Sequence, residues 1–256
     1  MANEEKDYAI RVENLTMGWP RKVLLENVSF DIPTGQIVFL LGGSGCGKSS
    51  LMKTLIGLNA PLAGDIKIQG RSIVHSPQEE IHEIQRSLGI MYQSGALFGS
   101  MSVLENVRFP LDHFTDLSEE SKDLTCKLVL NMLEMQHAAY LMPGELSGGM
   151  LKRAGIARAM VLGAKIVLLD EPGAGLDPIT AANLDRTILR LRDSLGCTFI
   201  IVSHELQSIF SIADRCLMLD PVSKSIIADG APQELRDHSP NPRVKQFFNG
   251  APDAQR

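Results

Sequence analysis

Long apolar runs are missing from this chain. No stretch approaches the roughly 20 consecutive apolar residues of a membrane-spanning helix, so any membrane role must come through a partner. Cysteine is scarce: Cys46, Cys126, Cys197 and Cys216 lie far apart, with no Cys-x-x-Cys pair and no Cys/His metal spacing. That excludes a disulfide framework or zinc module and fits the reduced thiols of a cytosolic protein. Positive charge is short as well. The net charge is −5 and no basic run or basic face appears, which argues against a nucleic-acid partner. Residues 1–7, Met1-Ala2-Asn3-Glu4-Glu5-Lys6-Asp7, are polar and acidic with no apolar segment behind them, so no secretory signal is visible. Internal repeats and low-complexity segments are also missing. What remains is a chain of 256 residues, enough to bury the core of one large domain or two small ones.

Against this background one stretch carries chemistry: Gly42-Gly43-Ser44-Gly45-Cys46-Gly47-Lys48-Ser49-Ser50. It follows Ile37-Val38-Phe39-Leu40-Leu41, an apolar run without alternation that suits a strand buried on both faces. Residues 51–57 follow with apolar pairs four apart and Gly57 as a stop, the pattern of a helix. Strand, glycine turn and helix together gather backbone N–H groups and a positive helix end around one point, which suits an anion. Lys48 is placed to neutralise β- and γ-phosphate oxygens, and the Ser49 hydroxyl to bind Mg²⁺. The chain is therefore expected to bind a nucleoside triphosphate. Cys46, beside a helix N-terminus, is a candidate reactive thiol; a small residue that fits the loop is the plainer reading.

Residues 8–34 alternate, with Ile10/Val12 and Val28/Phe30/Ile32 facing one way, as half-exposed antiparallel strands do. Asp65-Ile66-Lys67-Ile68 can join them. Trp19 lies in a turn upstream of the phosphate loop; such an aromatic can stack on a base, although taken alone it reads as a packing residue. A polar helix over 76–87 leads into a strand at 88–92. The next seventy residues carry helical patterns, a break at Pro110 and little β signal, so an inserted helical segment is expected. Buried strands at 166–169 and 199–202 flank a helix at about 179–194, and strands alternating with helices mean a parallel sheet. A hairpin (216–219, 226–229) and two short helices close the chain.

The parallel strands end on polar residues, where such sheets place ligands. One ends in Asp170-Glu171: the first carboxylate is a candidate Mg²⁺ ligand, the second a base for an attacking water. The next ends in Ser203-His204, whose imidazole can bond a γ-phosphate. Ser208 occupies the position where a zinc-protease helix needs its second histidine, so a zinc site is rejected. Gln93 falls at the same edge and can touch the metal or the water. Leu146-Ser147-Gly148-Gly149-Met150 then opens a helix to about Leu162, with Ser147 as N-cap and two glycines leaving first-turn N–H groups bare. Spacing alone leaves open whether the two anion-binding helix ends meet one nucleotide.

In this order, the phosphate loop, Gln93, LSGGM, VLLDE, the Gly175-Leu176-Asp177 turn and VSH resemble the ATP-binding cassette (ABC) ATPases over about residues 8–235. The resemblance implies an α/β fold: a P-loop NTPase (RecA-like) parallel sheet core, an N-terminal antiparallel β subdomain and an inserted α-helical subdomain. It divides a single domain into a core (8–93 and 164–235), a helical subdomain (94–163) and a C-terminal tail (236–256). It also implies ATP and Mg²⁺ as cofactors, with two ATPs between two head-to-tail copies. Residues 42–50 of one copy would face Ser147, Gly148 and Gly149 of the other. Trp19 would stack on adenine, Asp177 would report across the dimer, and Ser49, Gln93 and Asp170 would attend the metal. Met150 replaces the commoner glutamine, and Ala174-Gly175 the usual Ser-Ala; neither removes a charged catalytic group, so Glu171, His204 and Gln93 remain the expected catalytic set.

Further segments resemble the MCE-type (Mla) phospholipid transporter branch: residues 93–98 (QSGALF), 141–145 (LMPGE), 177–180 (DPIT), 212–215 (IADR) and 242–248 (PRVKQFF). That likeness implies an integral membrane permease, an MCE lipid-channelling protein and a small STAS-domain protein as partners, at the cytoplasmic face of the inner membrane. The permease's helix would dock in a cleft near Ala96–Leu104, and the tail would grip a partner or end as a solvated helix. A soluble cassette ATPase of cofactor assembly, another ABC importer or exporter, and a P-loop small-molecule kinase are the alternatives. The kinase has no use for LSGGM.

Overall fold

A computed structural model describes residues 8–93 and 95–249; the acidic start at 1–7, Ser94 of the QSGALF segment and the tail beyond 249 lie outside the described residues. Strands β1 (Tyr8–Trp19) and β2 (Lys22–Pro33) pair antiparallel. β3 (Ile37–Leu41) is buried at every residue, as expected of its unbroken apolar run, and leads through the glycine loop into α1 (Lys48–Leu55). β4 (Ala63–Ile68) pairs with β1 and with the short β5 (Arg71–Ser72), completing a four-stranded antiparallel sheet in the order β2-β1-β4-β5. α2 (Gln78–Arg86) then leads into β6 (Leu88–Met91).

Between β6 and the next strand the described chain is helical. α3 (Val103–Phe114) starts on a capping box in which the Ser102 hydroxyl accepts from the Glu105 N–H and the Glu105 carboxylate accepts from the Ser102 N–H. Pro110 was expected to break this segment, but α3 runs through it. A mid-helix proline costs about 3 kcal/mol. Burial of Val107 and Leu111 on either side, at about 1.5–3 kcal/mol each, offsets that. α4 (Glu119–Met132), two 3₁₀ turns (Gln136–Ala138, Pro143–Glu145) and α5 (Gly148–Met160) follow.

β7 (Ile166–Asp170), α6 (Pro178–Leu195), β8 (Thr198–Val202) and α7 (Leu206–Ile212) return the chain to the sheet, and β9 (Arg215–Asp220) and β10 (Ser225–Gly230) form the closing hairpin. The second sheet has the order β10-β9-β3-β8-β7-β6, parallel from β9 to β6. Its two faces take alternate residues of β3. Ile37, Phe39 and Leu41 enter one core with residues of α3 to α6; Val38 and Leu40 enter another with α1, α2 and the antiparallel sheet. The helical segment therefore shares its core with the sheet.

Helices α8 (Pro232–His238) and α9 (Pro242–Phe248) end the described chain. α9 is not the solvated helix that was one expectation: Val244 and Phe248 are buried in the first core, and the Arg243 guanidinium bonds Asp220 at 2.5 Å. The register Leu40↔Val202, Asp170↔Val202 and Met91↔Leu169 brings the C-terminal ends of β3, β8, β7 and β6 to one edge.

Candidate functional site

At that edge the glycine loop turns tightly. Gly42, with φ +141°, has room for no side chain: a Cβ there would lie 2.6 Å from both the Cys46 sulfur and the Leu219 carbonyl oxygen. Cys46 is thereby a buried packing residue, and all four cysteines are free and buried. Gly47 stands at the N-cap of α1 in a left-handed conformation and offers no side-chain cap, and the first turn of α1 carries no acidic residue. Its leading N–H groups and the helix dipole thus favour an anion. Lys48 Nζ donates to the carbonyls of Gly42 (2.7 Å) and Gly43 (3.1 Å), holding a cation over the loop. Gly43, Ser44, Gly45, Ser49 and Ser50 complete it.

The Asp170 carboxylate is half-buried at the end of β7, near the Ser49 hydroxyl and the Lys48 ammonium; burial first, then the charge of Glu171, pushes it above the usual carboxylate range against the pull of those two groups. Glu171 has φ +50°, an uncommon conformation for a residue with a Cβ. Its N–H donates to Val202 O at 2.8 Å, its Oε1 lies 2.9 Å from His204 Nδ1, and its Oε2 is buried with no partner within the chain. Gln93 joins through its backbone, whose carbonyl accepts from Lys152 Nζ; the same ammonium donates to Glu171 O at 3.1 Å. Tyr92 beside it is close enough to Asp170 to feel its charge. Trp19, exposed at the end of β1, lines a hollow of about 270 Å³ with Gly18, Ser50, Thr54, Leu58 and Asn59.

The structure thus gathers Lys48, Ser49, Asp170, Glu171, His204 and the Gln93 backbone at one edge. It does not bring the start of α5 to them. Ser147 caps α5 by accepting from Met150 N, while Gly148 and Gly149 lie against Leu176 and Thr180. Asp177 caps α6, accepting from the N–H groups of Ile179 and Thr180 and from the Thr180 hydroxyl, whose bonds hold its carboxyl below the usual range. An apolar groove of about 500 Å³ separates core and helical segment. Arg86, Leu88, Ile90, Pro110, Phe114 and Leu162 are among the residues that line it.

Sequence reasoning missed Lys152. Burial pulls its ammonium below its ordinary value, against the opposing pull of Glu171, Glu205 and Asp170. A signal existed: Lys152 sits three residues after Gly149 and four before Ile156, on the buried stripe of α5.

Among the described residues no cluster of three or more His, Cys, Asp or Glu could cage a metal by itself. Oxygen donors from Ser49 and Asp170 and an unpaired Glu171 oxygen do suit Mg²⁺, which takes few protein ligands and completes its shell with phosphate and water.

A buried parallel sheet feeding an uncapped glycine loop, with Lys48 and Ser49 facing Asp170-Glu171, defines a P-loop nucleoside triphosphatase. A family model described as "ABC transporter" matches residues 25–174. The chain is 40% identical over 243 residues to the probable ribonucleotide transport ATP-binding protein mkl of Mycobacterium leprae, covering 94% of this chain and 69% of the relative. It is 38% identical over 232 residues to the intermembrane phospholipid transport system ATP-binding protein MlaF of Escherichia coli K12, covering 91% and 85%. Among solved structures, cbiO1 from Clostridium perfringens, part of the ABC transporter complex cbiONQ, superposes with a TM-score of 0.84 at 27% identity, covering 95% of this chain and 99% of that one. A dimeric ATP-binding cassette in a post-hydrolysis state, bound to ADP and Pi, gives 0.76 at 26% identity, covering 87% and 98%. The chain belongs to the ABC transporter family, as an ATP-binding and ATP-hydrolysing subunit.

Proposed function

We propose that the chain powers phospholipid movement between inner and outer membranes, as an ATPase attached through a permease to the cytoplasmic face of the inner membrane. The 38% identity to the phospholipid transport protein MlaF, spread over 91% of this chain, carries this reading. No described helix is long and apolar enough to cross a membrane, so attachment falls to a partner. The groove beside Phe114 and Leu162, apolar with Arg86 and Arg158 at hand, offers a seat for a permease's cytoplasmic helix. An MCE lipid-channelling protein and a STAS-domain protein would complete the assembly.

In this reading two copies close head to tail on two ATPs. The 42–50 loop and Lys48 hold the phosphates, Trp19 stacks on adenine, and Ser147, Gly148 and Gly149 of the partner copy present N–H groups to the γ-phosphate. The separation of α5's start from the glycine loop within one chain supports the need for a second copy. Ser49, Asp170 and Gln93 would hold Mg²⁺, which neutralises phosphate charge. Glu171 accepts the proton of the water that attacks the γ-phosphorus as the bond to the ADP oxygen breaks, and His204 orients its carboxylate.

The test is a mild-detergent purification of the tagged chain from its native host. An integral membrane permease with an MCE protein and bound phospholipid is the expected outcome. A soluble cofactor-assembly complex in their place would overturn the transport reading and leave the ATPase standing.

A further inference from the structure

α5 grips the loop after β6 at three places. Lys152 Nζ donates to the carbonyl of Gln93, and Arg158 Nη2 donates to the carbonyl of Gly95 at 3.0 Å. Between them Gly155 lets the loop lie directly on the helix: a Cβ there would stand 3.1 Å from Gly95 Cα and 3.3 Å from its oxygen. Lys152 also reaches a second strand end, donating to Glu171 O at 3.1 Å, and only 6% of its surface is exposed. A buried ammonium is costly, and nothing in packing alone calls for one here. Its bonds go to the backbone of Gln93 and Glu171, the two residues to which the proposed mechanism gives the metal and the attacking water. The helix that carries it begins one turn earlier, at Ser147.

We propose that Lys152 is a positioning residue: it ties the first turns of α5 to the backbone of Gln93 and Glu171, so that a nucleotide seated on α5's start sets the catalytic carboxylate of the chain's own site. The inference rests on the two-copy reading above. Each α5 start meets the partner's ATP, while Lys152 a turn later holds its own Glu171, so the two sites are linked through four residues of helix. Glu171's left-handed backbone makes the link effective, because a conformation of that kind persists only while its surroundings impose it.

The experiment compares full-length wild type, K152M and K152R for ATPase kcat, KM and Hill coefficient, ATP binding and Tm. Methionine keeps the length and apolar stem and removes the donors. K152M is expected to bind ATP within about threefold of wild type and to lose about 10–10²-fold in kcat with little change in KM. Its Hill coefficient should fall from about 2 towards 1. K152R, which retains donors for both carbonyls, should recover most of kcat. A kcat within threefold of wild type, an unchanged Hill coefficient, a loss tracked by a matching fall in Tm, or no recovery in K152R would overturn the proposal. If methionine prevents folding, K152Q, with donors that reach less far, takes its place under the same criteria. Should wild type itself show a Hill coefficient of about 1 and E171Q stay monomeric with ATP, the two-copy reading is what fails. The kcat, KM and Tm comparison then still decides whether Lys152 positions Glu171 within one chain.

Discussion

Glu171 is the single side chain on which the proposed hydrolysis rests most heavily. One of its oxygens meets His204 and the other is buried without a partner, in a backbone conformation that costs about 1–3 kcal/mol. Glutamine keeps the shape and can still meet His204, but cannot take up a proton. E171Q should therefore lower ATP turnover by about 10²–10⁴ while leaving nucleotide binding intact, as phosphate release and equilibrium titration would show. Asp170 beside it makes an opposite kind of test. Its folded-state carboxyl titrates above the unfolded value, so the folded state is penalised as pH rises past the ordinary carboxylate value of 3.8, and fully so at neutral pH. D170N removes that penalty: it should raise Tm at pH 7, by about 2–4 °C for each kcal/mol relieved, yet abolish Mg²⁺-dependent hydrolysis. Below pH 3.8 the two proteins should melt alike. A D170N protein that melted lower at pH 7 would contradict the balance of burial and like charge described for this site.

At the scale of elements, Glu134 ties the helical segment to the core. It follows α4 and bonds Arg153 of α5 and Arg190 of α6, each at 2.6 Å, which holds its carboxyl down at about 2. About half of the side chain is exposed, so screening limits the pairs to about 0–1 kcal/mol. The depressed value means the contribution is present above the ordinary 4.5 and fades as pH falls towards 2. E134Q should thus melt slightly lower than wild type at pH 7 in low salt, with the difference shrinking in 0.5 M salt or below pH 4. An equal deficit at pH 2.5 and pH 7 would assign it to packing. Elements were also what the sequence showed best. Unbroken apolar runs named β3, β7 and β8, alternation named β1 and β2, and Ser147 marked the start of α5, because burial and capping write local patterns. Pro110 misled, since its neighbours' burial is a tertiary fact. Lys152 stayed hidden because its partners are carbonyls, which any residue carries, 59 and 19 positions away.

At the scale of the whole molecule, the same logic explains why the purpose of LSGGM was legible only by resemblance. The glycine loop meets Asp170 within the chain, whereas Ser147 caps its own helix and the next residues, Gly148 and Gly149, lie against Leu176 and Thr180. If two copies complete each other, a dimer has two sites, each built from Lys48 of one copy and Ser147 of the other. Chains lacking either residue then spoil both sites of their own homodimer. A heterodimer of K48A and S147R chains differs: one site carries both changes and the other carries neither. With E171Q added to stop hydrolysis, neither variant alone should dimerise on ATP. Mixed, they should form a heterodimer retaining one ATP, visible by light scattering and nucleotide extraction. The change from open to closed needs about 5.5 kcal/mol of nucleotide preference, so a single intact site should close the pair less completely than two. A mixture that stays monomeric and empty, while the E171Q chain alone dimerises, would place Lys48 and Ser147 on the same nucleotide from one chain. The shared site would then have to be redrawn within a single copy.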